Sequence, residues 1–155
     1  MNYGPININR IKEDATLICN CIGYGKNGVA DLMIIETAIA ETGLGAIEDK
    51  TPSAGMGITQ FDKFPFDDIK KRNMILQPRI LKELGVDIAL VEWDDLRYNP
   101  FLGLLFARLL YWLKGQEIPL SIQDRAAYWK LHYNTRLGKG TVEHYLAMNE
   151  KFKID

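Results

Sequence analysis

The sequence predicts a mainly α-helical domain, a bundle around one buried central helix. Three observations predict it. Two runs, Val29 to Thr42 and Phe101 to Leu113, are apolar on nearly every side, which marks helices buried in protein rather than laid along its surface. Glycine and proline punctuate the chain at the ends of these and other helical patterns, as helix stops and starts require. A polar, turn-rich loop and a glycine-rich segment, residues 44–62, follow the first apolar run and separate it from the later helices.

Taken in order, residues 1 to 8 are an irregular lead-in around Pro5. A helix from Asn9 places Ile11, Ala15, Ile18 and Ile22 on one face and ends at Gly23 and Gly25. The central helix runs from about Val29 to Thr42, with Asn27 and Gly28 as its expected cap, Asp31 in its first turn and Gly43 suited to a left-handed exit. After Asp62, the stretch Phe64 to Lys71 starts a short helix with proline near its first turn, and Pro78 to Leu84 forms another, closed by Gly85. Val86 to Val91 suits strand or helix, and the helical surroundings favour a short helix. Trp93 to Pro100 is an aromatic and acidic connector that proline closes. Phe101 to Leu113 is the second apolar helix, interrupted only by Arg108 and stopped by Gly115; it should cross the central helix in the core. Ser121 caps a helix through about Tyr133, Gly138 and Gly140 make a loop, and Thr141 caps the last helix.

Composition excludes several classes of function. A chain of 155 residues, 47% hydrophobic and 25% charged, is enough for one compact domain that buries roughly two-thirds of its unfolded surface. A net charge of −1 without a basic block argues against a nucleic-acid partner. Both apolar helices are too short to cross a bilayer, so no integral membrane segment is expected. Cys19 and Cys21 stand two apart on a helix, where side chains diverge, so they read as unpaired thiols of a reducing compartment. No apolar run follows a basic start, so no signal peptide is expected. His132 and His144, twelve apart and without cysteine or acidic spacing around them, do not suggest a metal site, and no phosphate-cradling loop suggests a nucleotide. No cofactor is expected.

Glu41 stands in the last turn of the central helix. The negative end of the helix dipole and partial desolvation both disfavour its carboxylate, which is the direction a general acid needs. The plain alternative turns this side chain into solvent where the helix ends. Glu36, five residues earlier, points well away from Glu41 and needs a partner if buried, with Arg108 a candidate. Gly55 and Gly57 flank Met56 and allow a close approach of backbone to a neighbour or ligand. Gln60 and Asp62 fall on one side of the segment that follows.

At these residues the chain resembles a family. Ala-Glu-Thr-Gly at 40–43, a variable loop, Gly-Met-Gly-Ile-Thr-Gln-Phe-Asp at 55–62, and the distal run from Ala127 to Glu143 together resemble the lysozyme-like superfamily. The nearest likeness is to goose-type lysozymes and phage-encoded soluble lytic transglycosylases, over about two-thirds of the chain. The resemblance implies an α+β lysozyme-like fold, its helical bundle joined by a small loop or hairpin lobe around residues 44–62 that lines a cleft, and a peptidoglycan-cleaving glycosidase, a lytic transglycosylase or muramidase. Its substrate would be the β-1,4 bond between N-acetylmuramic acid and N-acetylglucosamine, with Glu41 as general acid. Asp62 matches a cleft aspartate of the goose-type pattern, and Asp49 in the intervening loop is the other carboxylate able to assist; a substrate N-acetyl group can also take that part, as in the substrate-assisted exceptions to two-carboxylate glycoside hydrolysis. Gln60 and Gly57 fall in the cleft-lining motif. Tyr133 and Asn134 are similar to the Tyr-Asn pair of transglycosylases, although Thr135 and Arg136 replace the small residues usual there. Tyr98, beside Asn99 and Pro100, has the chemistry of a sugar contact, or of a simple turn. The likeness also implies peptidoglycan glycan strands as partner. The protein would be a phage or prophage product, an endolysin or a virion-associated enzyme beside other virion proteins, that reaches the wall after cytoplasmic synthesis. The alternative from another class is a non-catalytic sugar-binding or structural virion protein of the same fold.

Overall fold

The computed structural model describes residues 6–47, 54–72, 75–135 and 138–152. Among them are seven α-helices: α1 (Ile8–Ile22), α2 (Ala30–Thr42), α3 (Lys63–Lys71), α4 (Gln77–Leu84), α5 (Pro100–Lys114), α6 (Ile122–Trp129) and α7 (Val142–Lys151). Two 3-10 turns, Ile88–Leu90 and Trp93–Arg97, occupy the stretches read as short helix and connector, and a π-helical turn, Lys130–Asn134, prolongs α6. Among the described residues there are no extended strands, only an isolated antiparallel pairing of Met56 with Phe61. The mainly α expectation therefore holds. No helix of the described residues is long and apolar enough to cross a membrane.

The central helix owes its place to composition. From Met33 to Ala40 every residue of α2 is buried, because α1, α5 and α7 pack around it. The two apolar helices meet as expected, and the Thr37 and Tyr111 hydroxyls lie 2.8 Å apart across the α2–α5 contact. Gly43 takes the left-handed conformation (φ 57°, ψ 47°) that ends α2, its N–H donating to Ile39 at 2.9 Å, as a helix-terminating glycine does. The start of α2 corrects the expected cap. Val29 occupies the N-cap position without a side-chain bond, and the Asn27 amide instead donates to the Ile118 carbonyl at 2.9 Å. Asn27 thus joins the start of α2 to the segment beyond α5. The caps read at Ser121 and Thr141 are present, accepting from the N–H groups of Asp124 (3.1 Å) and His144 (3.0 Å).

The segment after α2 is a tight hairpin. Met56 and Phe61 exchange two backbone bonds of 3.0 Å, and Gln60 closes the turn with its N–H on the Gly57 carbonyl, also at 3.0 Å. Instead of projecting as a lobe, the hairpin is driven into the helices: Ile58, Thr59 and Phe61 are almost wholly buried. Thr42 of α2 donates to the Ile58 carbonyl (2.6 Å), Thr59 donates to the Gly103 carbonyl of α5 (3.0 Å), Tyr133 donates to the Thr59 carbonyl (2.6 Å), and the Trp93 indole donates to the Phe61 carbonyl (2.8 Å). Gly103 has to be glycine for this fit, since a Cβ there would sit 2.9 Å from the Ile58 side chain.

Cys19 and Cys21 are unpaired and buried. Burial pushes their thiols up, to about 12 and about 11 respectively, so both remain protonated and poorly nucleophilic.

A candidate active site at the end of the central helix

The last turn of α2, the hairpin, the π turn and the loop before α7 surround a cleft of about 350 Å³. Its lining brings together Glu41, Gly55, Gln60, Asp62, Tyr133 and Asn134, with Trp129, Lys139, Gly140 and His144. Five residues read from the sequence as site residues thus meet in one place, although Glu41 and Asn134 are 93 positions apart by their numbers.

Glu41 is partly buried. Its Oε1 accepts from the Trp129 indole N–H at 3.0 Å. Helix α2 therefore ends by delivering a carboxyl into the cleft, where a neutral donor from α6 meets one of its oxygens. Asp62 lies across the hairpin at the start of α3. It keeps contact with solvent, yet nearby atoms desolvate its carboxyl and raise it from 3.8. Two carboxyl groups in different surroundings line one cleft.

Tyr133 is buried, and its hydroxyl donates to the Thr59 carbonyl rather than to Glu41. Burial first, and the Glu41 charge second, push that hydroxyl well above the ordinary tyrosine range, so it stays protonated and fixes the hairpin against the π turn. Asn134 accepts from the Lys130 ammonium at 2.7 Å, and the same ammonium donates to the Gly138 carbonyl at 2.9 Å. Gly140 lies against the Trp129 ring, 2.5 Å from where its Cβ would be. The Gln60 side-chain amide donates to the Gly57 carbonyl at 3.0 Å, and its backbone carries the left-handed φ of 46° that the turn imposes.

Two expected contacts fall elsewhere. Gly57 does not line the cleft: its φ is +78°, and a Cβ there would collide with the Leu96 carbonyl. Glycine is required at 57 for a turn packed on a neighbouring backbone, and the residue is not among those that line the cleft. Tyr98, 69% exposed, is also outside the lining residues. Asp49 lies outside the described residues.

Glu36 has a partner, but not Arg108. Arg125 grips it with two bonds, Nε to Oε1 at 2.8 Å and Nη2 to Oε2 at 2.7 Å, and the Tyr145 hydroxyl donates to Oε1 at 2.7 Å. Arg108 donates to the Gly23 carbonyl at 3.0 Å. Both arginines sit on largely buried helix faces, and helical periodicity alone does not decide between them.

Sequence reasoning missed three residues. Trp129 reads as a packing aromatic, yet it meets Glu41. Thr42 ties the hairpin to the helix end. His144 caps this end of α2 from outside, its Nε2 2.8 Å from the Ala40 carbonyl. A usable signal existed for the first: Arg125 and Trp129, four apart on one helix face, are donors spaced to serve Glu36 and Glu41, the two carboxylates that follow Asp31 on α2. Comparison with family models, curated proteins and solved structures finds no match to this chain.

Proposed function

We propose that this chain is a peptidoglycan-cleaving glycosidase of lysozyme-like type, with Glu41 as its general acid. The observation that carries the reading is the convergence on one cleft of a carboxyl delivered by the end of a buried helix, a second carboxyl from Asp62, and the amide groups of Gln60 and Asn134. Cleaving a glycosidic bond requires a protonated carboxyl beside the bridging oxygen and a means of stabilising positive charge at the anomeric carbon. Glu41 suits the first task, because the end of α2 places its carboxyl on the cleft and the Trp129 indole holds one of its oxygens there. Asp62 or the N-acetyl group of the substrate supplies the second. Gln60 and Asn134 have the chemistry to meet the sugar amides. No cofactor enters this scheme. The expected setting is a phage or prophage product acting on the bacterial wall, free or as part of a particle.

The test is Glu41→Gln on purified cell wall. The near-isosteric amide should leave the fold intact and cut turnover by at least ~10²-fold, the lower range for general acid catalysis. Wild-type lysis by the folded variant would reject the proposal and favour a sugar-binding or structural role. Mass spectrometry of the released muropeptides then separates the two chemistries: anhydro ends mean transglycosylation, reducing ends mean hydrolysis.

A further inference from the structure

The cleft is backed by a cluster that the scheme above leaves unused. Glu36, 7% exposed, is clamped by Arg125 and bonded by the Tyr145 hydroxyl. Arg125 is anchored in turn on the Leu120 carbonyl at 2.7 Å. The Tyr145 ring lies against Trp129 with centroids 5.2 Å apart, and Gly140 closes on the far edge of the indole. Trp129 itself is 1% exposed, and its Nε1 comes within 3.0 Å of Glu41 Oε1. A contiguous set of contacts therefore runs from a buried ion pair to the proposed acid.

We infer that Trp129 is the positioning residue of the acid: held from behind by Tyr145, Glu36 and Arg125, its indole N–H fixes the Glu41 carboxyl so that the transferable proton rides on Oε2. The inference rests on the reading of Glu41 as general acid. Its logic is the donor inventory of the two groups. An indole N–H only donates, so the oxygen it meets must present a lone pair. In the protonated carboxyl the carbonyl oxygen is the stronger acceptor, so the indole favours the form in which Oε1 is the carbonyl oxygen and Oε2 the hydroxyl. During cleavage the Oε2–H bond breaks, its proton passes to the bridging oxygen, and that oxygen keeps the electron pair of the broken glycosidic bond. The indole bond strengthens as the carboxylate forms, since donors bond more strongly to an ionised acceptor.

The experiment compares wild type, Glu41→Gln, Trp129→Phe, and a chain carrying 3-benzothienylalanine at position 129, which replaces the N–H with sulfur and keeps the ring shape. Each is assayed on solubilised glycan strands for kcat, KM, pH profile and melting temperature. Loss of the N–H should lower kcat by on the order of 10-fold to 10²-fold, as misplacement of a reacting group does, with KM little changed. The alkaline limb of the pH profile should move to higher pH, because a donor that favours the ionised carboxyl has been removed. Should Trp129→Phe fail to fold, the sulfur analogue decides alone. Wild-type kcat and an unmoved alkaline limb in the sulfur analogue, while Glu41→Gln is inactive, would overturn the positioning role and leave the acid assignment standing. An active, folded Glu41→Gln would overturn both.

Discussion

Glu36 and Glu41 lie on the same helix, five residues apart, and both face donors from α6, yet the two ends of this contact are built for opposite ends. Glu36 meets a guanidinium in two parallel bonds and a tyrosine hydroxyl, all buried. Glu41 meets a neutral indole and opens into a cleft. The Glu36 carboxylate commits both oxygens to Arg125 and is closed off from any ligand. What separates a fold-holding glutamate from a candidate acid here is access: one is sealed in the core by Arg125 and Tyr145, the other lines a cleft.

The largest effect should come from breaking the structural end. Arg125→Met leaves the Glu36 charge buried without its cation, and unfolding in urea should show a loss of ~3–5 kcal/mol. Replacing both partners, with Glu36→Leu added, should recover much of that loss. If the double variant were as unstable as the single one, packing rather than charge would account for the effect. Gly57→Val comes next, because it joins a left-handed φ to a collision with the Leu96 backbone. It should lower stability by at least about 1–3 kcal/mol, with chitin-oligosaccharide affinity per folded molecule unchanged. Lost affinity in a fully stable protein would return Gly57 to the cleft.

Smaller still is Tyr133→Phe, which removes the bond to the Thr59 carbonyl and should cost roughly 0.5–1.5 kcal/mol, measured by melting temperature. A collapse of glycan binding at unchanged stability would instead make the hydroxyl a substrate contact. The smallest effect is expected at Asp62. Desolvation raises its carboxyl in the folded state, so folding favours the protonated form. Stability therefore falls as pH rises from the ordinary carboxyl value through the raised one. Asp62→Asn removes that penalty: the variant should gain on wild type across this window, keep a small advantage at neutral pH, and show none well below pH 3.8. An advantage that grew on acidification would contradict the sign.

The helices were largely legible because their ends are written locally. Gly43, Gly85, Gly115, Ser121 and Thr141 act within a few residues of themselves, and each terminates or caps its helix as expected. Partnerships across the fold were not. The need of a buried Glu36 for a cation followed from its surroundings, but choosing Arg125 over Arg108 depends on how α6 and α5 lie against α2. Asn27 was taken for a cap because its type suits one, while its actual partner is 91 residues away. At the cleft, the order of motifs brought Glu41, Gln60, Asp62, Tyr133 and Asn134 into view. The role of Trp129 stayed hidden, since a lone aromatic on a helix face looks the same whether its N–H is used or not.

The clasp around the hairpin bears on when this site can exist. The Thr59 carbonyl waits for Tyr133, 74 residues later, and Glu41 waits for its indole, 88 residues later. Such long sequence separations close late and slowly, because loop entropy has to be overcome before the contact rewards it. A chain emerging from the ribosome carries its candidate acid early but has no cleft wall, no donor and no docked hairpin until α6 and the π turn have followed. Nascent and truncated chains ending before Lys130 should accordingly be inert toward a glycan strand even when α1 and α2 are formed. On the proposed reading, cutting of a glycan strand has to wait until Trp129 and Tyr133 have been made and docked.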